Sequence, residues 1–485
     1  MPQPIDFQTI LPLTILTVWA CALLLVDLLI PKERKWITAL LAAAGLAITL
    51  GFTIAQMGRS STGFSGMVVQ DGFSTFLNAL QLVCGLLGIA IAYGYVKRMG
   101  LERGEYYTLL LFSVTGMMLM VQAADLIVVF LALELLSIPL YVLAAFNRTQ
   151  AASEEAGLKY FLLGAFSTGF VVYGIALVFG ATGSTNLNEI ANAWAGEYGY
   201  LYLPNYLLLA GAALILIGFA FKVAAVPFHM WTPDVYQGAP TSVTGFMAAG
   251  AKIAGFAALL RVFSTAFPAP VSYHMTDILW GLSALTMIGG NLLAISQSDI
   301  KRMLAYSSIA HAGYILMAFV PYGNADVAPV AIASGLFYLV AYAVSNFGAW
   351  GIVIAMEKSE GKGLAISDYA GLGRKYPVLA AAMTIFMLSL IGFPPTLGLV
   401  GKFYLFRSVI EGGFIWLAII GVVTSLISAY YYLHVVVNMY MKDGEPTVTR
   451  EFWLDFTWGL SALATVILSF VPQALFVMAS SALLK

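Results

Sequence analysis

Charge is what this 485-residue chain has least of. Asp, Glu, Lys and Arg make up 10% of it, against about one-quarter in a soluble domain. The formal net charge is -1, so no basic field invites nucleic acid and no acidic tail invites a basic partner. Cysteine is nearly absent. Cys21 and Cys84 each lie in an apolar run and read as buried small hydrophobes, not as a disulfide pair or cluster ligands. The four histidines, His229, His274, His311 and His434, are scattered without an evident facing pair, which argues against haem, and no glycine-rich phosphate loop follows a strand. The chain is therefore expected to bind no metal and to carry no redox centre. Its driving energy has to come from an ion gradient or an adjoining subunit.

Hydrophobic residues supply 61% of the chain, and its mean hydropathy is +0.89. Runs of about 20 apolar residues, the length that crosses a bilayer as a helix, occur at approximately 9–30, 36–57, 73–96, 106–123, 125–146, 156–181, 205–228, 242–267, 276–297, 302–320, 328–356, 377–411, 414–441 and 453–482. The expectation is an all-α polytopic membrane protein of fourteen transmembrane helices, a single membrane domain over 1–485, because lipid-facing backbone must bond internally and no ten-residue alternation suggests a barrel. The first ten residues hold Asp6 but no Lys or Arg, so the first run reads as a retained span and not a cleaved signal.

Basic residues set the orientation. Alternate loops hold Lys32, Arg34 and Lys35; Lys97, Arg98 and Arg103; Arg148 and Lys159; Lys301 and Arg302; Lys358, Lys362, Arg374 and Lys375; and Lys442 and Arg450. The other side is left with Arg59, Arg261, Arg407 and Lys485. Both termini are expected on the non-cytoplasmic side, with the loops Gly58–Gln70 and Thr182–Pro204, the latter carrying Glu189 and Glu197. Lys301-Arg302 reads as a solvated cytoplasmic flank.

Two spans carry helix breakers. One has Pro227 and Pro233 around His229, the other the Pro394-Pro395 pair, and each adjoins a lysine inside the apolar run. Interrupted helices at corresponding places in two halves point to a transport path, because irregular backbone at that depth must be buried in protein or line a cavity. A faint internal likeness between Ala123–Phe146 and Gln297–Phe319 agrees, and a spacing of five spans would invert the second copy.

Lys222, Lys252, Lys402 and Glu134 stand inside these spans with no reach to water. A charge at the bilayer centre costs about 2.5–3.5 kcal/mol on insertion scales, so such groups face a partner or a hydrated path, and proton or ion conduction is the default reading. Phe130, Ser137 and Tyr141 share a helix face with Glu134, a stripe expected to point into the bundle. Gly245, Ala248, Ala249 and Gly255 flank Lys252 and admit a close neighbouring helix. Two lysines about 8 Å apart repel by roughly 2 kcal/mol at an effective dielectric near 20, so protonating one tends to discharge the next. Glu134 paired with Lys222 would then switch the lysine's proton toward Lys252 and Lys402. His229 and His311 are candidate bridges between lysines. His274 and His434 lie nearer span ends, and Lys159, beside Glu154 and Glu155, reads as an anchor or an uptake charge.

The stretch Lys222-Val-Ala-Ala-Val-Pro-Phe-His-Met-Trp-Thr-Pro-Asp-Val-Tyr-Gln-Gly-Ala-Pro240 resembles the signature of the antiporter-like subunits of proton-pumping NADH:quinone oxidoreductase (respiratory complex I) and of Mrp-type cation/proton antiporters. Its Trp-Thr-Pro-Asp-Val-Tyr form is similar to the subunit N branch. Glu134 in Leu-Glu-Leu-Leu-Ser137, Glu155-Ala-Gly-Leu-Lys159, Asp299 to Ser308, and Gly398-Leu-Val-Gly-Lys402 match as well, so the resemblance runs from about residue 70 to 440. It implies two inverted five-helix repeats, spans 4–8 (106–267) and 9–13 (276–441), with spans 7 and 12 discontinuous. An N-terminal three-helix segment (1–97) precedes them and a C-terminal helix (453–485) follows. It also implies that Glu134 and Lys222 form the charge pair, Lys252 the central relay and Lys402 the outer half-channel. Lys402 stands where subunit M would have a glutamate, and no lateral helix like that of subunit L follows. By resemblance the chain is a non-redox proton-translocating subunit of a bacterial plasma (inner) membrane complex. NADH, FMN, iron–sulfur clusters and quinone would belong to partner subunits, and subunit M and small helical subunits would be its membrane neighbours. The alternative is a cation/proton antiporter subunit.

Overall fold

The computed structural model describes residues 7–194, 206–267, 269–358 and 361–482. Asp6, Glu197, Lys485 and the side chain of His274 lie outside the described residues. Starved of water, each apolar run closes its own backbone bonds as helix. The helices are α1 (Leu11–Asp27), α2 (Trp36–Ala55), α3 (Gly72–Arg98), α4 (Gly104–Gln122), α5 (Leu126–Ala144), α6 (Ala151–Thr182), α7 (Leu187–Trp194), α8 (Tyr206–Val223), α9 (Trp231–Gly238) and α10 (Thr241–Ala266). They continue as α11 (Ala269–Ile295), α12 (Ile300–Met317), α13 (Ala328–Met356), α14 (Leu372–Lys375), α15 (Pro377–Ile391), α16 (Leu397–Glu411), α17 (Ile415–Met441), α18 (Phe452–Phe470) and α19 (Pro472–Ser481).

Among the described residues, twelve helices are long and apolar enough to cross a membrane, and α1 and α15 are apolar but shorter. The all-α expectation needs one small amendment. The loop Gly58–Gln70 folds into a ribbon of two three-residue strands, Ser61–Gly63 against Val68–Gln70.

Contacts between loops sort the chain into two ends. At one end Lys301 bonds the Ala239 carbonyl, Arg98 bonds Glu451 and the Ile354 carbonyl, and Gly371 abuts Gly444, so the basic loops gather there. At the other end Asn186 bonds the Gly66 carbonyl, Gly72 abuts Ser481, and Gly412 abuts Pro321. The two stretches with a faint sequence likeness start alike and at opposite ends. Asp125 caps α5 through the Ile127 N–H, with a bridge to Asn186. Asp299 caps α12 through the Arg302 N–H, with a bridge to Ala365.

The core runs along α10, whose apolar window is wholly buried, and α12, at 94%, whereas α6 buries only 28% of its window. Small residues set these approaches. A Cβ at Gly255 would lie 3.3 Å from the Lys222 Cγ, one at Gly116 would strike the α5 backbone at Leu136, and one at Gly290 the α12 backbone at Ala310. Cys84 is buried as expected, but Cys21 is exposed on the outer face of α1.

Arg261 departs from expectation. It belongs to no loop: it lies inside α10, 4% exposed, forked onto Asp71, whose carboxylate also caps α3. The two guanidinium bonds are 3.0 and 2.9 Å, and Nε reaches the Val121 carbonyl at 2.8 Å. Removing one partner strands a buried charge, which typically costs about 3–5 kcal/mol, while replacing both by apolar groups is nearly neutral. Arg261→Met is therefore expected to lower the thermal stability of the assembled protein sharply, and Asp71→Leu/Arg261→Met to recover most of it; a single mutant as stable as wild type in a melting assay would contradict this.

A file of buried lysines as the candidate functional site

The first break follows Lys222. α8 ends at Val223, Ala224 takes φ +63°, and Val226–Pro227 is cis before α9 starts at Trp231. The Phe221 carbonyl accepts both the Ala224 N–H and the Trp231 indole N–H, each at 3.0 Å. That indole stacks on Tyr160, centroids 4.5 Å apart, and the Tyr160 hydroxyl accepts from Lys222 Nζ at 3.3 Å. The lysine's shorter bond, 2.7 Å, goes to the Ser137 hydroxyl. The break and the lysine thus share one aromatic wall.

Glu134 does not meet Lys222 as a direct ion pair within 4.0 Å. Its carboxylate accepts from Thr168 at 2.7 Å, and Ser137, three residues along the same face of α5, takes the lysine instead. The stripe expected to face inward does so at Ser137 and Tyr141, while Glu134 and Phe130 are only half-buried. The lysine and the carboxylate are therefore held by different partners, Ser137 on one and Thr168 on the other. Sequence spacing alone could not show that, because it fixes a shared face and not which member of it reaches across.

Lys252, at the middle of α10 and 2% exposed, bonds the hydroxyl of Ser308 on α12 at 2.6 Å and also the Ser308 carbonyl. Its ammonium lies 5.7 Å from the centre of the Tyr342 ring. One turn further along α12, His311 places Nδ1 2.8 Å from the Tyr338 hydroxyl and Nε2 3.1 Å from the Tyr432 hydroxyl, inside the electrostatic reach of both Lys252 and Lys402. His311 is thus bonded to two tyrosines and to neither lysine, although both lysines act on it electrostatically. His229 is half-buried on the first break, with Nδ1 unpartnered and no bond to a lysine. The side chain of His434 is exposed.

The second break is built around Lys402. In a continuous helix the carbonyls of Leu390 and Ile391 would accept from residues 394 and 395. Both are proline and have no N–H, and the peptide between them is cis. Lys402 Nζ takes their place, at 3.1 Å from the Leu390 oxygen and 3.0 Å from the Ile391 oxygen, and adds Ser425 at 2.9 Å. Gly392, at φ +87°, makes the turn, and a Cβ there would lie 2.9 Å from the lysine Cδ, so glycine is needed twice over. The Tyr314 ring lies 4.2 Å from the ammonium, with its hydroxyl bonded to Thr424.

Lys159 bridges Glu155 and Asp234, both at 2.7 Å, and Asp234 also holds Arg302 at 2.8 Å. It lies at the end where the basic loops gather, tied to two carboxylates. Lys301 corrects the sequence reading of a solvated flank: it is 3% exposed and donates to the Ala239 carbonyl at 2.8 Å. The hydroxyls of Ser308, Tyr160, Tyr314, Tyr338 and Tyr432 were missed as site residues, because at helical spacing a tyrosine in an apolar run reads as core. Among the described residues no group of three His, Cys, Asp or Glu side chains is placed to hold a metal ion.

An apolar bundle with two interrupted helices and buried ammonium groups at the interruptions is the architecture of ion-translocating membrane proteins. Residues 123–428 match the family described as NADH:quinone oxidoreductase/Mrp antiporter, TM. NADH-quinone oxidoreductase subunit N of Trichlorobacter lovleyi is 48% identical, with 96% of this chain and 93% of that protein covered. The subunit N of Chloroflexus aggregans is 46% identical, covering 99% and 98%. A chain of respiratory complex I from Thermus thermophilus superposes with a TM-score of 0.82 at 34% identity, covering 97% of this chain and 99% of that one. A chain of the Mrp complex from Dietzia shares the fold, with a TM-score of 0.86 at 19% identity over 98% and 96%. The chain belongs to the NADH:quinone oxidoreductase/Mrp antiporter family, within its NADH-quinone oxidoreductase subunit N group.

Lys402→Met leaves two buried carbonyls without a donor, each bond to a charged group being worth about 1.5–3 kcal/mol. Hydrogen exchange is expected to accelerate at the Gly392 and Phe393 amides, which close the end of α15 onto Leu388. Unchanged protection there would show that the lysine does not hold the break together.

Proposed function

We propose that this chain moves protons across the membrane as subunit N of an NADH:quinone oxidoreductase, along Glu134, Lys222, Lys252, His311 and Lys402. One observation carries the reading: each of the three lysines is buried at membrane depth and bonded to hydroxyl groups, of Ser137 and Tyr160, of Ser308, and of Ser425. A hydroxyl accepts one proton while donating its own, so these contacts are proton-transfer contacts as well as packing. Gly255 brings α10 against the Lys222 stem, and His311 spans the interval between Lys252 and Lys402. Neutralising the Glu134 carboxylate or moving it away from Lys222 weakens the hold on the Lys222 proton and favours its transfer onward.

The same reading takes fourteen passes, counting α1, the α15–α16 pair and the α18–α19 pair as one each, with inverted repeats over 106–267 and 276–441 between the 1–97 and 453–485 segments. Support comes from the matched Asp caps of α5 and α12 at opposite ends, and from breaks that follow α8 in one half and α15 in the other. On this reading the gathered basic loops face the cytoplasm and both termini lie on the other side of a bacterial plasma membrane, an orientation supported by the distribution of Lys and Arg. NADH, FMN, iron–sulfur clusters and quinone are assigned to partner subunits. The poorly covered outer face of α6 is where this reading seats a neighbouring membrane subunit.

In membrane vesicles carrying the assembled complex, Lys222→Ala and Glu134→Ala are expected to depress proton pumping together with quinone reductase turnover. Normal pumping in both, with normal assembly, overturns the relay. Cation exchange by this chain without quinone turnover would favour the antiporter alternative.

A further inference from the structure

Lys301 is a buried cation that the relay does not use, and the groups around it are unusual for a membrane boundary. Lys301 and Ser308 are seven residues apart on one face of α12, about 10 Å along its axis. α9 runs beside that interval: Tyr236 lies against Ser308, and Ala239, three residues on, accepts from Lys301. Thr241, next but one to Ala239, donates its N–H to the Tyr95 hydroxyl at 3.0 Å, and its own hydroxyl is buried without a partner. The Tyr95 hydroxyl in turn lies 3.4 Å from Oε1 of Glu357.

Glu357 is the second anomaly. It is 7% exposed, its other oxygen is buried without a partner, and it is one of the two carboxylates acting on Lys301, Asp299 being the other. The Tyr369 hydroxyl, buried and unpartnered, lies within reach of the same carboxylates. Next to Glu357, Met356 and Lys358 line a cavity of about 330 Å³ that opens between the basic loops, with Asp368, Asp443 and Glu445 on its walls. A buried carboxylate, a buried lysine and several hydroxyl groups thus lie between a surface cavity and Ser308, the partner of Lys252, without a direct ion pair between Glu357 and Lys301.

We propose that Glu357 and Lys301 are the proton-loading site for Lys252, with Tyr95, Thr241 and Tyr236 as the hydroxyl groups beside the path. This rests on the relay reading and extends it to the source of its protons. The Glu357 carboxylate takes a proton from water in the cavity. The acid passes it, by way of a bridging water, to the neutral Lys301 amine, which restores the carboxylate and leaves an ammonium. That ammonium releases its proton through hydroxyl groups, each accepting one and donating its own, to Ser308 and so to the neutral Lys252 amine. Only O–H and N–H bonds form and break, and one proton is conserved throughout.

The test uses the assembled complex in membrane vesicles, with pumping and quinone reductase turnover measured for Lys301→Met, Lys301→Arg, Glu357→Gln and Glu357→Asp, and with Lys252→Ala as reference. Arginine keeps a cationic donor for the Ala239 carbonyl but does not deprotonate, so a purely structural lysine is rescued by it and a proton carrier is not. Lys301→Met, Lys301→Arg and Glu357→Gln are expected to slow both activities at least about tenfold, below the 10²–10⁴ of a positioned proton-transfer group because water finds slower routes. Glu357→Asp is expected to retain most of the rate. Wild-type pumping in assembled Lys301→Arg and Glu357→Gln, with Lys252→Ala impaired, overturns the loading site alone; normal pumping in Lys252→Ala overturns the relay itself. If Lys301→Met fails to assemble, the arginine and glutamine variants decide.

Discussion

Every buried ammonium group here has to find its acceptors inside the protein, because the surrounding lipid offers none. That obligation explains why the breaks and the lysines occur together. In an unbroken helix each carbonyl already accepts a backbone N–H and has only its second lone pair to offer, as the Ser308 carbonyl does to Lys252. Pro394 and Pro395 remove two donors, which leaves two oxygens that nothing local can satisfy, and Lys402 removes the deficit by bonding both. Break and charge would each be unfavourable alone and are mutually compensating together. At the first break the Phe221 carbonyl keeps the Ala224 N–H and adds the Trp231 indole, and Lys222 is left to the hydroxyls of Ser137 and Tyr160.

Helix packing follows from the same requirement. Hydroxyl partners for a mid-membrane lysine must come from neighbouring helices, so the helices must approach closely where the lysines are. Gly255 lets α8 press its lysine stem against α10, and α10, with no exposed window at all, delivers Lys252 to Ser308 on α12. The poorly buried α6 contributes through its inner face only, with Thr168 on Glu134 and Tyr160 on Lys222.

The helices, the two breaks and the three mid-span lysines were legible in the sequence, because each leaves a one-dimensional mark: an apolar run, a proline, an isolated charge. The partners were not. Ser308 and Tyr160 lie in segments that were singled out for other residues, yet nothing in a serine or tyrosine among apolar neighbours tells whether it faces lipid, core or a lysine. Arg261 and Lys301 were misplaced for a related reason. A charge close to a span end reads as solvated unless its counter-group is known, and Asp71 lies 190 positions away from Arg261 while the acceptor of Lys301 is a backbone carbonyl that carries no sequence signature.

The acceptor sets also differ along the file in a way that bears on transfer. An ammonium has three N–H donors and a neutral amine two. Lys402 has three acceptors, Leu390, Ile391 and Ser425, and the nearest ring, so its surroundings match the charged form. Lys222 and Lys252 have two each, which a neutral amine can fill without leaving a donor idle. The three lysines thus differ in the number of acceptors around the nitrogen, and on the proposed relay the one site with three lies beside the second break, where the prolines leave two of them free.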